Sequence, residues 1–363
     1  MTNNDPLRFE LVQNGRWNEP GVLICRTEAV AAARQALTAE PADDDTFWQA
    51  VLVLTRADEL DLAHRHWIAA TGVSRDVHGL LGGRIMLLRG DPRAAVRLLD
   101  RSVRPRLRVV ATAWLVLALT ETGELGRARA VLEAERAPDS AELHFARGRL
   151  LLAEGQSAAA LDEFLECGRL LAASGVVNPA VLPWRSWAAL AAVDQGDLVL
   201  ARICADKDLV AARRWGAPRG IGLALHASAL ARGGDDVLLE EAITYLGRTS
   251  EAFRARHDLA QLLLARGEVE RARKHARHLR SCPQWTKAAE ALTSRLLRKD
   301  GESALSAQER RIALLARAGR SNREIAAELG LTLRTVEFHL TRVYRKMGVA
   351  GRPGLRRAFV PTA

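Results

Sequence analysis

Apolar residues recur along this chain at helical spacing. Runs such as residues 113–119 and 259–264 keep that period, and no stretch alternates apolar and polar positions as a half-buried strand would. The sharpest pattern lies near the C-terminus, where Val336, Leu340, Val343 and Met347 fall at i, i+4, i+7 and i+11 and predict one narrow apolar stripe on a helix. Arg334, Phe338, Thr341 and Arg345 repeat that spacing on the opposite face, flanked by Glu337 and Arg342. The first set is expected in a core, the second against solvent or a partner.

Capping signals divide this region into helices. Ser306 with Glu309, and Ser321 with Glu324, fit the S-x-x-E box in which serine and glutamate satisfy each other's backbone N–H groups. Gly319 and Gly330 are placed to end the helices that follow these boxes. Thr332 caps a third helix, predicted over about residues 333–346. Gly330 and Leu331 alone separate the second helix from that cap, which is the short bend of a helix-turn-helix.

The preceding ~300 residues exceed one ordinary domain, and they carry a repeat. Gly90, Gly123, Gly155, Gly196, Gly234 and Gly267 follow one another at intervals of 33, 32, 41, 38 and 33 residues. Five positions after each stand Ala95, Ala128, Ala160, Ala201, Leu239 and Ala272, and an earlier unit has Asp58 in the glycine slot with Ala63 five later. Such a unit reads as a helical hairpin: glycine ends one helix, a residue such as Asp91 or Asp197 starts the next, and alanine lets the two approach closely.

A period near 34 with this placement resembles degenerate tetratricopeptide repeats, whose hairpins stack because none buries its apolar face alone. The expected fold is therefore all-α, a tetratricopeptide-like superhelix over residues 1–298 and a four-helix domain over 305–363. KDGESA, residues 299–304, is read as the linker. All eight tryptophans precede that linker and are read first as core fillers. Trp184 and Trp187 sit in the longest repeat, beside Asn178, Pro179 and Pro183, and with Trp215 form the candidate ligand or partner face.

Charge changes the reading of the C-terminal region. It holds twelve Lys or Arg against four acids, so it carries eight of the ten excess positive charges of the chain. That concentration is expected of a polyphosphate binder, with affinity that falls steeply as salt rises. A solvated basic face would explain the arginines alone. An exposed Phe338 among them is better explained by a thymine methyl beside guanine and phosphate acceptors.

The stretch 305–359, LSAQERRIALLARAGRSNREIAAELGLTLRTVEFHLTRVYRKMGVAGRPGLRRAF, resembles the DNA-binding domain of the LuxR family. The likeness runs through Leu305, Glu309, Gly319, Ser321, Asn322, Glu324, Ile325, Ala326, Leu329, Thr335, Val336, His339, Lys346, Gly348, Val349 and Arg352. It implies contacts to double-stranded DNA from Ser321, Asn322, Arg323, Arg334, Thr335, Glu337, Phe338, Thr341, Arg342, Arg345 and Lys346. Glu337 stands where family members often have lysine, which makes a cytosine amino group a candidate for it. The last helix, with Arg352, Leu355, Arg356 and Phe359, resembles the element through which these domains pair, implying a homodimer on an inverted repeat.

Two further segments, NPAVLPWRSWAAL (178–190) and ARRWGAPRG (212–220), resemble the large ATP-binding LuxR-type regulators of actinobacteria. Those begin with a P-loop ATPase. Here none of Lys207, Lys274, Lys287, Lys299 and Lys346 follows a glycine, so no G-K-[ST] phosphate cradle is present. The chain reads as a natural short form or as the C-terminal part of a larger protein. The resemblance implies a pathway-specific regulator, more often an activator, frequently of secondary-metabolite genes, working with RNA polymerase.

Other chemistry is sparse. Cys25, Cys167, Cys204 and Cys282 form no C-x-x-C pair, which suits reduced thiols in a cytoplasm. His64 with His66, and His275 with His278, lack supporting Cys or acidic spacing, so no metal site or cofactor is expected. No nucleophile elbow, Rossmann fingerprint or zinc-protease motif points to an enzyme. No signal-peptide pattern and no run of ~20 apolar residues points to a membrane. A DNA-binding regulator is the leading expectation, with an effector or protein partner on the repeats. A helical-repeat scaffold whose last helices dock protein, and a small-molecule sensor, remain as alternatives.

Overall fold

The computed structural model describes residues 25–38, 43–101, 103–136, 140–247, 249–280, 285–303 and 305–358, and every regular element among them is helical. The side chains of residues 298–303 and 356–358 are outside the description. Two compact units divide the chain, Met1–Ala255 and Arg256–Ala363.

In the first unit α1 (Arg26–Thr38) packs on α2 (Asp44–Arg56), and hairpins then succeed one another. They pair α2 with α3 (Leu60–Ala69), α4 (Arg75–Leu88) with α5 (Pro92–Leu99), and α6 (Arg108–Thr122) with α7 (Leu125–Ala134). Next come α8 (Ala141–Ala153) with α9 (Ser157–Ala173), α10 (Trp184–Asp194) with α11 (Leu198–Trp215), and α12 (Pro218–Ala231) with α13 (Asp236–Leu246). Helix α14 (Ser250–Ala265) crosses the division. First helices also touch first helices, α2 with α4, α6 with α8 and α10 with α12, so they form an inner layer. This is the tetratricopeptide-like arrangement.

The repeat is built as its spacing predicts. The glycines that close the first helices have positive φ, and Asp58, at φ 63°, takes the same left-handed conformation in their slot. An aspartate tolerates this region better than most residues, at some cost. Ala63, Ala95, Ala128, Ala160, Ala201, Leu239 and Ala272 are all fully enclosed, where each second helix meets its first.

The stack curls back on itself. Trp215 Nε1 donates to the Arg56 carbonyl at 2.9 Å, and the Arg219 backbone N–H donates to the Asp58 carboxylate at 3.1 Å, contacts spanning 159 and 161 residues. The expected ligand face at the tryptophans is corrected accordingly. Trp215 is a 3% exposed structural tie, and the Trp184 ring fills the space over Gly168, where a Cβ would lie 2.4 Å from it. Trp187 is enclosed too, at 2% exposure. Trp17 and Cys282 lie outside the described residues.

In the second unit α15 (Val269–Leu279) pairs with α16 (Thr286–Ser303), followed by α17 (Ala307–Arg317), α18 (Asn322–Leu329), α19 (Leu333–Met347) and α20 (Gly351–Ala358). The expected linker is not an extended segment. Residues 299–303 are the end of α16, which packs against α19, and a single Gly301 does not interrupt a helix held by such packing.

Candidate nucleic-acid interface

Three caps set the geometry of the last domain. Ser306 Oγ accepts from the Glu309 N–H at 3.2 Å while the Glu309 carboxylate accepts from the Ser306 N–H at 2.8 Å. Ser321 and Glu324 repeat this at 3.2 and 2.6 Å. Thr332 Oγ accepts from the Thr335 N–H at 3.2 Å and starts α19 at Leu333. Between α18 and α19 the chain reverses at Gly330, φ 64°, and Leu331 N–H closes the turn on the Ala326 carbonyl at 2.9 Å.

The apolar stripe of α19 faces inward as its spacing predicts. Val336, Leu340, Val343 and Met347 join Ile312, Ala313, Ala316, Ile325 and Leu355 in one core. That burial fixes the orientation of the opposite face. Arg334, Glu337, Phe338, Thr341 and Arg345 are exposed there, Phe338 by 58%, a large apolar ring left open on a small domain. Arg342 lies beside it, its guanidinium carbon 5.6 Å from the ring centroid. Thr341 donates its hydroxyl proton to the Glu337 carbonyl at 2.9 Å, so its methyl and oxygen lone pairs remain for a partner. Ser321 and Arg323 are exposed at the start of α18, where free N–H groups favour phosphate. Thr335 is half-buried against its cap.

Some expected contacts are committed elsewhere. Lys346 Nζ donates to the Glu309 carboxylate at 2.6 Å, and Arg342 Nε lies 3.5 Å from it. Glu309 is only 2% exposed, and these partners, Lys346 first and the Ser306 N–H next, hold its carboxyl at about 2, below the usual range. Lys346 thus joins α19 to α17. Asn322 Oδ1 accepts from Arg352, whose guanidinium also donates to the Arg320 and Ala316 carbonyls. Arg352 therefore braces its own domain, and Leu355, expected at a dimer contact, is fully enclosed in the core. The reason is geometric: α20 packs on α17 and α19, which turns these two side chains inward. The Arg356 side chain and Phe359 lie outside the described residues.

The capping box marked Glu309 in the sequence, but its second task, anchoring α19, has no local signature. Nor does the bracket from Arg352 to Arg320 and Asn322.

Residues 303–358 match the family described as bacterial regulatory proteins, luxR family. This segment is a LuxR-family helix-turn-helix domain. No curated protein matches the chain. Among solved structures, the crystal structure of the APC/C hetero-tetramer Cut9-Hcn1 aligns with TM-score 0.49 and 14% identity, over 97% of this chain and 68% of that one. Among the described residues no helix is long and apolar enough to cross a membrane, and no three His, Cys, Asp or Glu gather as a metal site.

Proposed function

We propose that the chain is a DNA-binding transcription regulator that lays α19 in the major groove of promoter DNA. The observation that carries this is the exposed Phe338, set between Arg334 and Arg345 on the face opposite a fully buried stripe. Arginine forks match guanine or phosphate acceptors, and the ring matches a thymine methyl. Glu337 is suited to accept from a cytosine amino group. Ser321 and Arg323 hold the phosphate backbone and set register.

On DNA two copies bind an inverted repeat, and the LuxR likeness supports this pairing. The protein acts in the cytoplasm as an activator working with RNA polymerase, and the repeat unit receives an effector or a protein partner. Secondary-metabolite genes are its expected targets. Selection from random duplexes with the full-length chain tests the reading. It should enrich an inverted repeat whose half-sites carry a G·C pair beside a T. Recovery of unselected sequence with no duplex bound at low salt would reject it.

A further inference from the structure

We propose that the inner face of the repeat unit holds a site for a small oxyanion, a carboxylate or phosphate group carried on an apolar body. This rests on the reading of that unit as effector-binding and names the chemistry of the effector.

The site is a narrow cleft of about 30 Å³ among the first helices of the hairpins, with Arg84, Arg149 and Arg219 in its wall. These arginines come from α4, α8 and the start of α12, so the inner layer brings together residues that no local motif joins. Two carboxylates also line it, and both are taken. Glu121 pairs with Arg149, and the buried Glu251 pairs with Arg219. Arg84 forms no ion pair among the described residues, and the Glu251 carboxylate attracts it only at a distance. Its contact is with the Trp114 ring, 5.4 Å from the guanidinium carbon to the centroid.

In the wall of the cleft three guanidiniums stand against two carboxylates, and a third carboxylate, Asp58, lies near Arg219. Burial, then repulsion from Arg219 and Arg56, pushes the Arg84 guanidinium down to about 9. A guanidinium does not give up its proton at neutral pH, so such a site is relieved by recruiting an anion. Orphaned donors say the same. Arg219 Nε, in the wall of the cleft, is buried with no hydrogen-bond partner among the described residues, and Arg254 Nε, outside the wall, is buried likewise. Arg149 and Arg254 both lie over the Trp187 ring, at 3.5 and 5.5 Å, which adds positive charge beside the cleft. Leu117, Phe145 and Leu182 provide an apolar wall for the rest of the ligand.

Phenyl phosphate and benzoate are suitable probes, with benzyl alcohol as the uncharged control. Titration calorimetry on the full-length chain should show saturable binding of at least one anion, one per chain, and none of benzyl alcohol. Which anion binds tighter distinguishes phosphate from carboxylate. Arg84→Met should weaken binding at least ~10-fold, the loss expected for a charge-assisted hydrogen bond. Arg345→Ala, on the DNA face, should leave it unchanged. Without ligand, Arg84→Met should melt no lower than the parent, because it removes an uncompensated cation. Arg84→Lys, which keeps the charge and loses the fork, should fall between the two.

Absence of saturable binding by the parent protein overturns the proposal. So does a loss confined to Arg345→Ala, which would put the anion on the DNA face, or a melting point for Arg84→Met more than ~5 °C lower, which would make Arg84 structural. Duplex affinity measured on the same preparations separates the two readings. Anion binding that leaves it unchanged keeps the site and contradicts its role as an effector site.

Discussion

Lys346 reaches from α19 to α17 and places its ammonium 2.6 Å from the Glu309 carboxylate, so the helix proposed to enter the groove is tied to the first helix of its domain through a buried acid. One turn of the helix thus divides its basic residues by task. Arg345 is exposed and without a partner among the described residues, whereas its neighbour Lys346 is half-buried and engaged.

That division predicts opposite phenotypes for adjacent substitutions. Lys346→Met leaves Glu309 enclosed without its main counter-charge and should cost about 1–3 kcal/mol in urea unfolding of the C-terminal unit. Arg345→Ala should leave the unfolding midpoint within about 0.5 kcal/mol of the parent, as surface changes do. A stability loss of equal size in both variants would erase the distinction.

Acid should loosen this domain. The Glu309 carboxyl is held at about 2 when folded, against an ordinary value of 4.5, so its stabilisation is complete above the ordinary value and lost as pH falls toward 2. Protection of the α17 amides from hydrogen exchange, relative to their unfolded rates at each pH, should therefore fall between these limits. Glu309→Gln should exchange faster at neutral pH and show a flatter acid limb. An unaltered limb in Glu309→Gln would mean that other carboxylates govern the acid response.

Phe338→Ala should separate specificity from stability. The ring is mostly exposed, so its removal should change the melting point little, while preference at one or two base steps relaxes. Competition binding against a panel of single-base-pair variants reads this directly. Unchanged discrimination across the panel would remove Phe338 from the recognition set.

Asp58 offers a test of the repeat unit. At φ 63° a glycine would sit without strain but would lose the acceptor for the Arg219 N–H, whereas an alanine loses the acceptor and keeps the strain. Thermal melts should rank the parent above Asp58→Ala by about 1–3 kcal/mol, with Asp58→Gly between them. Equal melting of all three would show that this corner adds nothing to closing the stack.

Much of this architecture was legible because its signals are local. A capping box is two residues three apart, and a hairpin repeat is a glycine slot followed five positions later by a small residue. Even the aspartate in the Asp58 slot keeps the left-handed backbone of the glycines it replaces. Contacts formed by folding at a distance were not legible. Leu355 and Arg352, expected at a dimer contact, carry no local mark of burial in GRPGLRRA, and only the packing of α20 turns them inward. The KDGESA segment has loop composition but lies mostly within α16. Arg84, Arg149 and Arg219 are single arginines in otherwise ordinary helices. Their convergence depends on the curl that joins Trp215 to Arg56.

Fluorescence anisotropy of the selected duplex with the full-length chain, read across a salt series, tests the central claim most directly. The parent should bind with an affinity that falls steeply as salt rises. Arg345→Ala should bind at least ~10-fold more weakly if it reads a base, with the loss larger on the selected site than on scrambled DNA. Binding that is insensitive to salt and equal for the parent, Arg334→Ala and Arg345→Ala would contradict the placement of α19 in the groove.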